Sequence, residues 1–381
     1  MSSYRALKAK ETAVALLGLE ERLTQCPCVA GEHAVVLEKL EGILARLFAK
    51  LEQIAPLAGD PAFHSHVDLE LNYISSYLSV IELQFVRALQ TPSKEELYLR
   101  AMFLRLAERL GINWFEDMVL HTSGKLGIYQ ELDGSLATPV IHVPGGFLDK
   151  FLSLPGVYHE FGHSVFAEFP SILGVMLGVV RRYFDELRHR LGPTQPESRY
   201  VQLKRFQDAE DFWNDRRLEE LFCDLFAQYL CGCANIISMI DLSMAEGRPV
   251  SDTGDLDYPP DGARVRACAM MLNPDQAGEA SMHELQEEWE DYAQQFNHSL
   301  LFRDSCAEPL LRELGQSVFA ALAAEMPALR KCDDPLPDVK EAFVPSNTVV
   351  FEKAIQQGFA VLAWRRDNFE SWWKDVRTRL V

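Results

Sequence analysis

The sequence predicts an α+β protein that is predominantly helical, with a small antiparallel or mixed sheet in its middle third. Three observations lead to this class. Apolar residues recur at helical spacing through the first 112 residues, and they do so again beyond residue 275. Between residues 114 and 143, short runs rich in Val, Ile, Leu and Tyr are separated by glycine-containing turns. We therefore divide the chain into an N-terminal helical region (1–112), a core (113–275) and a C-terminal helical region that packs on the core (276–381).

The composition argues against several classes of function. The chain has 381 residues and a net charge of −19, which disfavours nucleic acid or an anionic membrane as a partner. The N-terminus lacks the apolar segment of a secretory signal, and the longest apolar run, Ile172 to Val180, is too short to cross a bilayer. We therefore expect a cytoplasmic protein whose eight cysteines are reduced, with no nucleic-acid or membrane partner.

The two flanking regions show helical periodicity, with apolar residues on one face and charged residues on the other. Helices are predicted in the N-terminal region at 1–25, 33–54, 66–89 and 93–110. In the C-terminal region they are predicted at 276–298, 306–326, 348–364 and 370–380. Neither region contains a constellation of catalytic residues. They are interpreted as helical layers that pack against the core or cover it.

The core begins with the predicted sheet. Strands are predicted at 118–122, 125–132 and 138–143, joined by turns at Ser-Gly and Asp-Gly pairs. Pro139 and Pro144 bracket the last strand, which is typical of an edge strand because proline cannot donate a hydrogen bond to a neighbour. An edge strand can pair with an extended peptide, so this arrangement hints at a peptide substrate.

The chemistry of the core lies in one stretch, His159-Glu160-Phe161-Gly162-His163. On a helix, residues four apart lie one turn apart on the same face, so both imidazoles can bind one metal ion. Glu160 lies about 100° round the helix, beside the ion, where a carboxylate can take a proton from a metal-bound water. The stretch therefore predicts a metal site with a built-in general base.

The surrounding residues support a buried helix at this motif. Ser153 can cap its N-terminus and Pro155 suits its first turn. The following residues form an apolar stripe at helical spacing: Leu154, Val157, Phe161 and Val165. Histidines and a glutamate in a buried helix are costly unless they are paired or bound to a metal.

A catalytic zinc site needs a third protein ligand and an open position for water. Glu220 is the preferred candidate, because it lies on a strongly amphipathic helix with Asp224 one turn further on the same face. From there Asp224 can accept a hydrogen bond from the outer N–H of a ligand histidine and fix the orientation of its ring. Glu186 is the nearest alternative ligand, followed by His189 and Glu219.

With these residues in place, the chain resembles the zincin metallopeptidases that use a glutamate as third ligand, the gluzincins. The core, over residues 137–270, is similar to the minigluzincins and to prenyl-peptide-processing zinc proteases. The resemblance implies a zincin-like core in which His159, His163 and Glu220 bind Zn²⁺. It also implies hydrolysis of peptide bonds with Glu160 as the general base.

In the prenyl-peptide-processing proteases, a His-Pro-Pro segment and an arginine follow the glutamate helix. Here residues 258–260 read Tyr-Pro-Pro, and Arg264 follows. Tyr258 replaces the family's histidine; it either donates a hydrogen bond to the oxyanion of the reaction or packs on the prolines in a turn. Arg264 is expected to pair with a nearby acid, Asp257 or Asp255.

The function expected from the sequence is that of a zinc-dependent metallopeptidase that acts on a peptide or protein by Glu-assisted attack of a zinc-bound water. Three alternatives remain open. The site could hydrolyse a non-peptide amide or ester, or the protein could be a catalytically idle scaffold. The helical regions could also close the cleft until a partner or a cleavage event opens it.

Overall fold

The computed structural model describes residues 4–25, 34–86, 89, 94–112, 119–123, 127–130, 139–144, 154–191, 196–247, 249–273 and 280–329. The chain folds into two compact units, Met1–Gly145 and Gly146–Val381. The helices predicted at 348–364 and 370–380, and the predicted cap Ser153, lie outside the described residues. The predicted region boundaries at 112 and 275 stay predictions.

The described residues of the first unit form four α-helices and three short strands. The helices are α1 (Tyr4–Thr24), α2 (Ala34–Ile54), α3 (His64–Val80) and α4 (Lys94–Leu110). Two 3₁₀ turns join α2 to α3, and a π-helical turn follows α3. Helices α1, α2 and α3 pack on one another through apolar faces that are almost wholly buried. In their described parts, the helices predicted for the first 112 residues are confirmed.

The strands of the first unit pair in an order that the sequence did not indicate. They are β1 (Val119–Ser123), β2 (Gly127–Gln130) and β3 (Pro139–Pro144), in the order β1-β3-β2. Strand β3 is parallel to β1 and antiparallel to β2, so it is the central strand. The expectation of an edge strand was wrong because Pro139 and Pro144 stand at the two ends of β3, leaving the residues between them able to pair on both sides.

In the described residues of the second unit, all the regular secondary structure is helical. The helices are α5 (Gly156–Glu168), α6 (Ser171–Arg190), α7 (Pro196–Asp211), α8 (Asp215–Cys231), α9 (Cys233–Glu246), α10 (Asp261–Ala269), α11 (Ala280–Ala293), α12 (Leu300–Ser305) and α13 (Glu308–Glu325). Helix α8 lies at the centre, in contact with α5, α6, α9, α10 and α13. The side chains of α8 from Glu220 to Cys231 are all buried, which fits a helix that is surrounded on every side.

Helix α5 carries the His-Glu-x-x-His motif, and α8 is its main neighbour. All four residues of its predicted apolar stripe are at most 1% exposed, which confirms the buried face. The helix begins directly after Pro155. The two helices approach very closely at Gly162, where an added Cβ would stand 2.9 Å from the Cα of Cys223. A glycine is required here because no side chain fits between the two backbones.

The predicted α+β class, with a sheet inside the metal-binding core, is therefore wrong. The unit that contains α5 has no strand among its described residues, and the short strands belong to the other unit. The physical reason lies in α5 itself, whose apolar residues are buried against α8 and neighbouring helices and need no sheet for cover. Predominant helicity is the part of the prediction that holds.

In the described part of the chain, no single helix has both the length and the apolar composition to cross a bilayer, whereas the α5–α6 pair, bent by 93°, meets both criteria together.

Candidate metal centre

Helix α5 presents both histidines of the motif to α8. The rings of His159 and His163 lie one turn apart, with centroids 5.3 Å from each other and planes nearly perpendicular. Their side chains are 14% and 19% exposed, so they lie at the edge of the buried core. Glu160 lies next to them on α5 and is half-buried.

Glu220 is the residue of α8 that faces both histidines. Its Oε2 atom lies 3.2 Å from Nε2 of His159, and its Oε1 atom lies 3.7 Å from Nε2 of His163. The residue is 1% exposed, and its Oε2 makes no hydrogen bond within the described residues. A buried carboxylate is costly unless it is paired or coordinates a metal. Both Nε2 atoms therefore face this carboxylate, and imidazole nitrogens and a carboxylate oxygen are donors that a divalent cation accepts.

Asp224 holds the ring of His159 from the other side. Its Oδ1 lies 2.9 Å from Nδ1 of His159, which favours a proton on Nδ1 and leaves Nε2 as the ring atom that faces Glu220. Burial opposes charge on His159, but the neighbouring carboxylates of Asp224 and Glu220 outweigh it and raise the pKa of His159 to about 10. The sequence placed Asp224 on the correct face of the helix for this contact.

Glu219 contacts Nδ1 of His163 as Asp224 contacts Nδ1 of His159. The sequence did not indicate this role for Glu219. Its Oε1 lies 2.9 Å from Nδ1 of His163, and its Oε2 accepts a hydrogen bond from Arg216 at 2.9 Å. Burial tends to raise the pKa of Glu219, but the contacts with His163 and Arg216 lower it below its ordinary value. Adjacent residues of α8 therefore serve different purposes: Glu220 faces the Nε2 atoms, and Glu219 orients one ring.

Arg264 on α10 does not pair with Asp257 or Asp255, as the sequence suggested, but with Asp224. Its Nε donates to Oδ2 at 2.6 Å and its Nη2 donates to Oδ1 at 2.8 Å. Burial opposes the charge on Asp224, yet Arg264 and His159 lower the pKa of this carboxyl to about 2. The expectation failed because α10 packs against α8, which brings residues forty positions apart into a forked pair.

Cys223 is a further potential ligand, which the sequence did not indicate. His159, His163 and Cys223 could hold a metal ion, since their ligand atoms all lie within 4.8 Å of one another. The thiol is fully buried beside Gly162, and burial, with the nearby charge of Glu220, raises its pKa well above the ordinary value. A bound metal would reverse this effect, because a coordinating thiol loses its proton.

Tyr258 lies in the loop before α10, with its ring 5.7 Å from the guanidinium of Arg264. It is 45% exposed. Burial, followed by the charges of Glu220 and Glu160, raises the pKa of Tyr258 to about 12. The phenol is protonated at neutral pH and can donate a hydrogen bond.

The two alternative third ligands from the sequence, Glu186 and His189, lie on α6. Glu186 has a side chain that is 56% exposed and accepts a hydrogen bond from Arg190 at 2.9 Å. His189 follows it by less than one turn on α6. Of the candidates considered from the sequence, the structure brings together Glu219 and Glu220 with the two histidines and leaves Glu186 in a surface ion pair.

His159, His163 and Cys223 form a group that could hold a metal ion, the buried carboxylate of Glu220 faces both histidines, and Glu160 lies beside them on α5. Such a donor set can bind a divalent metal and support acid–base chemistry beside it. Comparison with known proteins adds no relative: no family model, no curated protein and no solved structure matches this chain.

Proposed function

We propose that the protein is a zinc-dependent metallopeptidase that cleaves peptide bonds at the site formed by helices α5 and α8. One observation carries the proposal: the Nε2 atoms of His159 and His163 both face the buried carboxylate of Glu220, while Glu160 lies beside them on α5. This is the geometry that three ligands and an adjacent general base require.

The donor set favours zinc among the common metals. Two imidazoles and one carboxylate suit this borderline ion, whereas magnesium and calcium prefer oxygen donors alone. His159, His163 and Glu220 would hold the ion, and the orphaned Oε2 of Glu220 is the atom that such an ion would satisfy. When bound, zinc lowers the pKa of a coordinated water towards neutrality and polarises a substrate carbonyl.

The residues of the chain divide the remaining work. Glu160 accepts a proton from the attacking water and passes it to the nitrogen of the leaving amine. Tyr258 donates a hydrogen bond to the oxyanion that forms on the carbonyl oxygen. Asp224 and Glu219 keep a proton on Nδ1 of the two histidines, so that each Nε2 remains available as a donor.

A hydrolase of non-peptide amides or esters would use the same groups. The prediction of a peptide substrate from an edge strand no longer applies, because β3 is the central strand. Hydrolysis of a panel of unstructured peptides, acyl amides and esters distinguishes the two hypotheses. We expect peptides to be cleaved. Turnover of esters or small amides with no cleavage of any peptide would reassign the substrate class.

The proposal is tested by measuring zinc content together with hydrolysis. We expect about one zinc per chain in the wild type and in Glu186→Ala, and loss of the metal in Glu220→Ala. Glu160→Gln should keep the metal and lower hydrolysis by a factor on the order of 10²–10⁴, because it removes only the base. A Glu160→Gln variant with undiminished activity, or a well-folded wild type that binds no zinc, would refute the proposal.

A catalytically idle metal site is the second candidate, and the position of Cys223 favours it. If the thiolate of Cys223 joined the two histidines and Glu220, four protein ligands would fill a tetrahedral site and leave no open position. Cobalt substitution distinguishes the cases. A thiolate-to-cobalt charge-transfer band that disappears in Cys223→Ser supports the idle site, and its absence from the wild type supports the open one.

A further inference from the structure

Helix α1 is buried on one side and carries exposed apolar side chains on the other. The residues that the first unit buries are Ala9, Thr12, Leu16, Leu19 and Leu23. The helical repeat turns a second set of large side chains away from them, and these are mostly exposed: Tyr4 (73%), Leu7 (53%), Val14 (70%) and Leu17 (55%). A helix on the surface of a folded unit needs only one apolar stripe, so the second set indicates a surface that another chain covers.

Two of these apolar residues lie in line with two charged residues. Lys10, Val14, Leu17 and Glu21 follow one another at intervals of four, three and four residues, and all four are exposed. Such intervals place the four side chains within about 60° around the helix axis, and they are the spacing of a coiled-coil contact. We call these four residues the outer line of α1.

The rest of the first unit contacts α1 on other sides. Nη2 of Arg5 donates to Oδ2 of Asp68 on α3 at 2.6 Å, and Arg22 pairs with Glu82 in the turn that follows α3. Arg5 and Arg22 lie about 100° or more around the axis from the outer line. Helix α3 therefore packs beside α1 and leaves the outer line exposed.

The outer line is complementary to a second copy of itself when the two helices run antiparallel. A two-fold axis through the middle of the line sets Val14 against the partner's Leu17. The same axis sets Lys10 against the partner's Glu21, so that apolar side chains meet at the centre and opposite charges meet at both ends. Parallel helices would bring like charges together at both ends, so the charges select the antiparallel arrangement.

We propose that α1 forms an antiparallel two-fold contact with a second copy of this chain, centred on Val14 and Leu17. The contact is independent of the metal centre and of the function proposed for it. One helix face covers less than the ~800 Å² that a stable interface buries on each partner, so the dimer is weak and its population depends on protein concentration. An anionic membrane does not suit this face, because the chain has a net charge of −19 and a glutamate stands in the outer line.

Sedimentation equilibrium of the full chain tests the dimer. At physiological ionic strength we expect a dissociation constant on the order of 10⁻⁵–10⁻⁴ M for the wild type, as the small size of the contact allows. Val14→Asp should raise it at least tenfold, since the dimer would then bury two carboxylates in its apolar centre.

An exchange of charges tests the antiparallel pairing itself. Lys10→Glu and Glu21→Lys each create two contacts between like charges in the symmetric pair, so each should weaken the dimer by about tenfold. The double variant Lys10→Glu with Glu21→Lys restores opposite charges and should return the dissociation constant to within about threefold of the wild type.

Leu242→Asp is the matched control, because Leu242 is 59% exposed on α9 and lies outside the outer line. It should leave the dissociation constant unchanged. Circular dichroism should show the same fold for every variant, since each replaced residue is exposed.

A wild type that stays monomeric about tenfold above the expected dissociation constant would overturn the proposal. A double variant that remains as weak as the single ones would also overturn it, because the charges would then not face each other. An equal loss of affinity in Leu242→Asp would place the contact on another surface of the chain.

Discussion

Gly162 lies against Cys223 so closely that a single added carbon on the glycine would stand 2.9 Å from the Cα of the cysteine. On each helix, residues of the metal centre lie on both sides of this contact. Gly162 precedes His163 on α5, and Cys223 lies between Glu220 and Asp224 on α8. The close approach of the two backbones is what allows one carboxylate of α8 to reach both imidazoles of α5.

Gly162→Ala is therefore expected to push α5 and α8 apart. The methyl group meets backbone rather than a flexible side chain, so we expect a loss of about 1–3 kcal/mol in the free energy of unfolding. Zinc affinity should fall by at least tenfold, because Glu220 moves away from the histidines. Urea unfolding and competition with a chromogenic chelator measure the two effects.

Gly178→Ala on α6 is the control for this change. An added Cβ there meets nothing within 4 Å, so the alanine should stabilise the helix by about 0.5–1 kcal/mol and leave zinc affinity unchanged. Equal behaviour of the two variants would show that the helix contact does not shape the site.

Asp224→Asn tests the forked pair with Arg264. The amide keeps the shape of the carboxylate but leaves a buried guanidinium without its counter-charge, which costs about 3–5 kcal/mol of folding stability. Zinc affinity should drop by about 10–100-fold, because the support of His159 is weakened. Thermal unfolding and zinc titration follow the two losses.

Glu186→Gln is the matched control for Asp224→Asn, since it removes an equally charged residue from a surface pair with Arg190. Exposed pairs contribute between about 0 and 1 kcal/mol, so its stability and zinc affinity should stay near those of the wild type. If Asp224→Asn were equally mild, the buried network would have no part in holding the site.

Zinc itself should stabilise the second unit. A ligand that binds only the folded state at a hundred times its dissociation constant adds about 2.7 kcal/mol to the free energy of unfolding. Adding zinc to metal-free protein should thus raise the midpoint of thermal unfolding, and a chelator should reverse the shift. Glu220→Ala should show little of the shift, and a full shift in that variant would place the third ligand elsewhere.

Arg217→Lys tests how the loop beside the site is held. Lysine cannot reproduce the forked contacts with the carbonyl oxygens of Phe212 and Asp255, so the loop should open more often. We expect faster amide exchange at residues 255–258, measured by hydrogen exchange with mass spectrometry. Arg205→Lys, which disturbs the paired Asp304 instead, should leave those amides as protected as in the wild type.

Much of the site follows from local rules that the sequence makes visible. The four-residue spacing of His159 and His163 places both on one face of any helix, and the same spacing relates Glu220 to Asp224. The apolar stripe of α5 is buried as its periodicity predicts. These inferences depend on helical geometry alone, so they needed no knowledge of the neighbouring helices.

The errors concern relationships between distant segments. Arg264 was expected to pair with a sequence neighbour, but its partner is set by the packing of α10 on α8. The prolines of β3 suggested an edge strand, although their positions at the strand ends let its middle pair on both sides. Proline content and local charge do not reveal which segments become neighbours.

The sequence by itself determined that one helix carries two histidines and a glutamate in a metal-binding pattern, because that pattern depends only on the helical repeat. Only the tertiary structure decided that Glu220 faces both Nε2 atoms, that Glu219 orients His163, and that the thiol of Cys223 lies within reach. These three residues lie within five positions of one another on α8 and differ in direction around its axis and in height along it. Because α5 approaches α8 so closely at Gly162, each of the three residues has a different position relative to the two histidines.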